Sequence, residues 1–261
     1  MIYKFCAHTD PGQVRTNNED SVSFDDATRV GVLADGMGGY NAGEIASGMA
    51  TAFINSELAR WLSEVVQQAN PLEIKRAMEI CVANANRSIF NASRANPQYS
   101  GMGTTLVVGV FQDGKLVLGH VGDSRCYRMR DNILMQITKD HSLLQEQIDA
   151  GLLTPEQALT APNKNLVTRA LGVEDSVMLE VNEHRVDPGD IYLMCSDGLS
   201  DMMQDELIAK ILQNGTSLTQ MAAELVASAN ENGGRDNITV LLAQASGSVE
   251  KRGFVSRLLG K

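Results

Sequence analysis

Arg29-Val30-Gly31-Val32-Leu33-Ala34-Asp35-Gly36-Met37-Gly38-Gly39 is the stretch on which the fold turns. Its apolar run, Val30 to Ala34, reads as a buried strand that delivers one carboxylate, Asp35, into glycines that permit tight turns and close approach of backbone to a ligand. The construction recurs where Leu116 to Gly122 runs into Asp123, and where Ile191 to Ser196 runs into Asp197. A reversed version places Asp236 and Asn237 ahead of Ile238 to Ala243. Strands that each present an aspartate at a tip predict carboxylates converging on one edge of a β structure. Such groups repel one another, and hard cations such as Mg²⁺ or Mn²⁺ offset the repulsion. The expected site is a multi-metal hydrolytic centre.

The 261 residues allow one large domain or two small ones, and 43% hydrophobic content suffices for a sizeable core. A net charge of -10 argues against a nucleic-acid partner bound through a broad basic surface. No apolar run approaches the ~20 residues of a transmembrane helix, and Met1-Ile2-Tyr3-Lys4 does not open a signal peptide, so a cytoplasmic protein is expected. Cys6, Cys81, Cys126 and Cys195 are widely separated and read as buried thiols of a reducing compartment.

In chain order, residues 2 to 8 and 21 to 25 read as strands around the turn Asp10-Pro11-Gly12, with the polar hexad Arg15 to Asp20 on the connection. Helical spacing of Ile45, Met49, Ala52, Phe53, Leu58, Leu62 and Val65 predicts a helix from Asn41 to about Gln68, and Pro71 opens a second that reaches about Ala95. Residues 106 to 138 read as a meander of antiparallel strands interrupted at Gly122-Asp123-Ser124-Arg125. A short helix capped by Ser142 and a mixed segment with Pro155 and Pro162 form an expected flap over residues 143–167. Strands at Val177 to Val186 and up to Asp197 follow, then helices near 204–213 and 217–230 and the last core strand. One domain over 1–244 is expected, with a short basic amphipathic tail over 245–261.

Arg15-x-x-Asn18-Glu19-Asp20, Ala34-Asp35-Gly36-Met37-Gly38-Gly39, Gly103-Thr104-Thr105, Gly122-Asp123-Ser124-Arg125, Ser196-Asp197-Gly198-Leu199 and Gly234-Arg235-Asp236-Asn237 together resemble the metal-dependent protein serine/threonine phosphatases of the PP2C type, bacterial branch. The resemblance covers about residues 8 to 243 and implies an α+β fold: a β-sandwich of two antiparallel sheets flanked by pairs of helices. It implies a binuclear Mn²⁺ or Mg²⁺ centre in which Asp35 bridges both ions, Asp197 and Asp236 complete one, and Glu19 with the Gly36 carbonyl serves the other. Asp123, with Asp197, matches the position of a weaker third ion. Arg15 matches the arginine that binds the phosphoryl group, and Asp20 an acceptor behind the ligands that orients water.

The activity so implied is hydrolysis of phosphoserine and phosphothreonine by metal-activated water, opposing a bacterial kinase, with a monomer expected. The alternatives are a pseudophosphatase or a partner-switching module that binds phosphorylated partners. Met37 stands where many eukaryotic members carry a histidine, which leaves the general acid unassigned. His141 is weighed for that role against a structural hydrogen bond, and His8, His120 and His184 are read as satisfied structural histidines.

Overall fold

The computed structural model describes residues 1–38, 42–65, 69–154, 157 and 166–247. Strands β1 (Ile2–Asp10), β11 (Ile238–Ser246), β10 (Ile191–Cys195), β7 (Arg125–Arg130) and β8 (Ile133–Gln136) lie in that order in one antiparallel sheet. The second sheet runs β2 (Asp20–Asp25), β3 (Val30–Met37), β5 (Leu106–Gln112), β6 (Lys115–Val121) and β9 (Glu180–Arg185), with the short β4 (Gly103–Thr104) beside β3. Helices α1 (Ala42–Glu64) and α2 (Pro71–Ala95) cover the second sheet. On the first sheet lie α4 (Asp197–Ser200), α5 (Asp205–Asn214) and α6 (Leu218–Glu231), while α3 (Leu143–Asp149) opens the expected flap. The layers are those of the expected helix-flanked sandwich.

Strand β3 is apolar without alternation because both of its faces are covered. Val30, Val32 and Ala34 pack under the helices, while Leu33 enters the core between the sheets. On that inner side Gly31 makes room: a Cβ there would lie 2.8 Å from Leu241 Cδ2. Phe111 anchors the inter-sheet core, with Tyr3, Phe5 and Tyr192 rings 5.2–5.6 Å away. Fully buried side chains such as Phe111 and Tyr192 each contribute about 1.5–3 kcal/mol by leaving water.

At α2, Pro71 opens the helix as expected, and a capping box fixes its first turn. Asn70 accepts from Leu72 N at 3.0 Å and Glu73 N at 3.1 Å, Glu73 reaches back to Asn70 N at 2.8 Å, and Pro71 occupies the first turn. At α1 the buried face differs from the expected stripe. Ala46, Ser47, Ala50, Thr51, Ile54 and Leu58 are buried, whereas Ala52 is exposed and Ile45, Met49 and Phe53 are only partly covered. Small side chains let α1 lie close on β3, so the strip nearest the sheet is the less hydrophobic one.

Three connections that read as simple turns, one of them inside the expected meander, are crossings between sheets. β1 and β2, β6 and β7, and β9 and β10 each fall in different sheets. Strand propensity does not report which sheet a strand joins, and the run from 106 to 138 looks continuous for that reason. Asp35 also lies inside β3, two residues before its end, so the Gly36 position serves close packing rather than a turn. β9 is shorter than expected, α4 adds a helix to the expected elements, and β11 continues to Ser246 opposite Ile2. Residues 155–156 and 158–165 of the expected flap, and the tail from 248, lie outside the described residues.

Candidate active site

The register of β2 against β3 sets Asp20 directly opposite Asp35. Asp35 is fixed through its backbone: its N–H donates to Thr105 Oγ1 at 3.0 Å, and its carbonyl accepts from Thr105 N at 2.9 Å and Thr104 Oγ1 at 2.8 Å. Thr105 Oγ1 also pairs with Ser124 Oγ at 2.7 Å, which ties the Asp35 strand to the crossing that carries Asp123. From the other sheet, Ser196 Oγ donates to Asp20 Oδ2 at 2.8 Å, one residue before Asp197. The second oxygen, Asp20 Oδ1, is buried with no hydrogen-bond partner among the described residues.

Glu19 is set by contacts from three directions. Its carbonyl accepts from Gly36 N at 3.1 Å and Ser47 Oγ at 2.6 Å, and its N–H donates to Asn237 Oδ1 at 2.7 Å. A Cβ at Gly36 would overlap the Gly43 carbonyl, and a Cβ at Gly43 would lie 2.5 Å from Glu19 Oε2. Only glycines let β3, the start of α1 and the Glu19 carboxylate come so close. Asn237 then donates to Pro11 O at 3.0 Å and Asn17 O at 2.8 Å, binding the whole 11–19 loop to the start of β11. At the rim, Arg15 Nη2 donates to Asp236 Oδ2 at 2.7 Å.

One cleft of ≈ 550 Å³ is lined by Arg15, Glu19, Asp35, Gly36, Asp123, Asp197 and Asp236. Every expected ligand is present in it, and Asp20 sits behind them. Burial drives the Asp35 and Asp197 carboxyls far above the usual range, and the neighbouring aspartates push in the same direction. Burial likewise lifts Asp20 to about 7 against the pull of its hydroxyl donors, and lifts Asp123 to about 6 with Asp140 adding to it. Glu19 is raised by burial despite the nearby Arg15. A site in which burial pushes several carboxylates toward holding their protons, and which offers only oxygen donors and leaves Asp20 Oδ1 unpartnered among the described residues, fits hard divalent ions.

No histidine lines this cleft among the described residues. His141 is buried elsewhere and hydrogen-bonded, which excludes it as an acid reaching the cleft in this structure. His120 is satisfied by Lys139 O at 2.8 Å and His8 is exposed to solvent, but His184 Nε2 is buried without a partner among the described residues, so the reading of His184 as satisfied fails. In the sequence Thr105, Ser196 and Asn237 stand only as members of motifs. Their work is to hold backbone and carboxylates of the opposite sheet, and polar residues at the ends of apolar strands are the only trace of it in the chain.

Residues 10–243 match the family described as Protein phosphatase 2C. The chain is 36% identical over 239 residues to the Serine/threonine phosphatase stp of Listeria monocytogenes serotype 4b (strain F2365), covering 90% of this chain and 93% of that one. The chain belongs to the protein phosphatase 2C family. The crystal structure of the Mycobacterium tuberculosis serine/threonine phosphatase PstP/Ppp is similar to it with a TM-score of 0.85 at 38% identity, over 95% of this chain and 100% of that one. The catalytic domain of PstP in complex with 2 manganese ions is similar with a TM-score of 0.82 at 37% identity, over 94% and 99% of the two chains. This protein phosphatase 2C is a metal-dependent protein serine/threonine phosphatase with Mn²⁺ or Mg²⁺ as its cofactor, and phosphoproteins are its substrates. Among the described residues no helix is long and apolar enough to cross a membrane.

Proposed function

We propose that the 550 Å³ cleft is where this phosphatase removes phosphate from serine and threonine side chains, and that Arg15, Glu19, Asp20, Asp35, Gly36, Asp123, Asp197 and Asp236 are the residues that do it. The observation that carries the assignment is the convergence of Glu19, Asp35, Asp123, Asp197 and Asp236, drawn from both sheets, on a cleft with one guanidinium at its rim. Asp35, Asp197, Asp236, Glu19 and the Gly36 carbonyl would hold two ions, and Asp123 with Asp197 a weaker third. When bound, such ions activate water for attack on phosphorus and counter the charge of the phosphoryl oxygens.

The chain's own groups do the positioning. Arg15 stays protonated at any working pH and carries five N–H donors, so it can hold Asp236 and a phosphoryl group together. Bidentate contact with that group fixes phosphorus over the carboxylate floor and matches charge on the oxygens as the ester bond breaks. Asp20 Oδ1 is an acceptor for a proton of water or of Asp35, and Ser196 holds the carboxylate from the far side.

A protein kinase must supply such a substrate, so the partner in the cell is a kinase and its products. Three buried cysteines and one half-buried, all free, suit a reducing compartment and a cytoplasmic protein. A monomer with a single phosphatase domain over residues 1–244 accounts for three cores that close within one chain. The test is release of phosphate from phosphoserine and phosphothreonine peptides with Mn²⁺, with Mg²⁺ and with chelator, for the wild type and Asp35→Asn. Turnover that persists in chelator, or in the Asn variant, overturns the assignment.

A further inference from the structure

We propose that His141 is a positioning residue for this reaction: through Gly122 it sets the orientation of Asp123, an inference that rests on Asp123 belonging to the phosphatase site. His141 grips Gly122 at two points. The Gly122 N–H donates to His141 Nδ1 at 3.2 Å, and the His141 N–H donates to Gly122 O at 2.9 Å. Gly122 has a φ of +101°, and a Cβ on it would lie 2.7 Å from Thr105 Cγ2. The peptide that leads into Asp123 is therefore pinned between Thr105 on one side and His141 on the other. Asp123 cannot turn without one of them yielding.

The same histidine holds a second wall of the cleft. Its carbonyl accepts from Thr168 N at 2.8 Å, Ser142 forms a bridge with Val167, and Val167 lines the cleft. The far edge of the ring sets its chemistry. Because Nδ1 accepts, the proton resides on Nε2, which donates to Glu180 Oε2 at 3.3 Å. The ring stacks on His120 at 4.7 Å and 14°, and His120 Nε2 donates to Lys139 O. Arg169 Nη1 stands 3.5 Å from the same Nε2, so Glu180, Arg169 and His120 are the titratable groups that face it. Burial, with His120 and Arg169 adding to it, keeps the imidazole less basic than usual and so neutral at neutral pH.

His120, His141 and Glu180 also bring three potential ligand atoms within 4.8 Å of one another. Near-parallel stacked rings direct their in-plane lone pairs side by side, not to one point, and His141 Nδ1 is already occupied. The cluster is thus built to aim a hydrogen-bond acceptor at Gly122, not to hold an ion.

The test exploits which atom matters. His141→Asn puts an amide oxygen near the place of Nδ1, whereas His141→Gln reaches toward Nε2 and His141→Leu offers no acceptor. At saturating Mn²⁺ with a phosphothreonine peptide, the Gln and Leu variants are expected to lose about tenfold or more in kcat with KM within about twofold, and the Asn variant to return to within about threefold of wild type. Calorimetric Mn²⁺ titration without substrate should show weaker binding of the Asp123-dependent ion in the Gln variant and recovery in the Asn variant. The Asp123→Asn/His141→Gln double variant should be no slower than Asp123→Asn alone. Equal losses in Asn and Gln variants, losses that track melting temperature, or multiplicative losses in the double variant would overturn the proposal. A wild type that binds Mn²⁺ but hydrolyses no phosphopeptide would instead defeat the site assignment, with the titration still deciding the link from His141 to Asp123.

Discussion

Asp20 and Asp35 face each other directly across β2 and β3, two acids in register on adjacent strands. Like charges so placed are destabilising, and burial compounds the cost. Without a cation the pair is relieved only by keeping protons. Evolution of a stable core alone would not retain this arrangement, so it marks where stability yields to chemistry.

Removing metal should therefore invert the usual pH dependence of stability near neutrality. Asp20 and Asp123 are raised in the folded state to about 7 and about 6, and burial holds Asp35 and Asp197 well above the usual carboxylate range. The folded protein then holds protons that the unfolded chain has released. Their contribution is complete below the unfolded value, about pH 4, and is lost as pH rises through 6 and 7. In chelator the melting temperature should fall between pH 5 and pH 7.5, and excess Mn²⁺ should restore it most at the upper end. A metal-free melting temperature that climbs over this interval contradicts the account.

Asp35→Asn should separate stability from turnover. Replacing the most crowded carboxylate by a neutral amide is expected to raise the metal-free melting temperature at pH 7.5 while reducing kcat at least about a thousandfold. Thermal scans beside a phosphopeptide assay give both quantities on one preparation.

Arg15→Lys should behave more like Arg15→Ala than like wild type. An ammonium supplies charge but not the planar fork, so KM for phosphopeptide should rise about tenfold or more in both variants. The ion pair with Asp236 is more than half exposed on the arginine side, so little change in melting temperature is expected. Full activity in the lysine variant would remove Arg15 from the phosphoryl site.

Two glycines of α1 should respond in opposite ways to alanine. At Gly48 nothing lies within 4 Å of a new Cβ, and the better helix former should stabilise by about 0.5–1 kcal/mol with activity intact. At Gly43 the Cβ meets the Glu19 carboxylate, so metal affinity and kcat should drop although the helix propensity improves equally. Urea unfolding and Mn²⁺ titration distinguish the two.

Far from the cleft, Asp190 accepts from Arg130 at 2.6 and 2.8 Å with its side chain 1% exposed. Asp190→Ala removes the buried acceptor of Arg130, of the Asp187 N–H and of the Tyr192 hydroxyl, leaving Arg130 with Asp187 and the Arg185 carbonyl, and should cost about 3 kcal/mol in urea unfolding, with kcat at 25 °C unchanged. Burial pushes this carboxyl up, but the bonds from Arg130 and the Asp187 N–H outweigh it and leave it below the usual range. Its stabilisation is present above about pH 4 and is lost as pH falls below that, the reverse of the cleft carboxylates.

Much of this was legible in the chain. Val30 to Ala34, Ile191 to Cys195 and Ile238 to Ala243 announce strands buried on both faces, and Pro71 announces the start of α2. The acids at the strand ends were readable because a carboxylate set directly against an unbroken apolar run is costly to bury unless a partner compensates it. Sheet membership was not readable, since Gly122 to Ser124 looks the same whether the chain turns back or crosses over. Neither were the roles of Thr105, Ser196 and Asn237, whose partners across the fold lie 19 to 226 residues away. Burial at α1 escaped the periodicity because closeness to a sheet selects small residues, not the most apolar ones.

The crossings between sheets have a mechanical consequence. Asp20 and Asp35 belong to one sheet, Asp197 and Asp236 flank strands of the other, and Asp123 rides the seam between them. An ion captured there acts as a rivet through both plates of the sandwich. Manganese should accordingly slow amide exchange in β11 and β3 together, and sliding one plate against the other would dismantle the grip on the ion before either plate came apart.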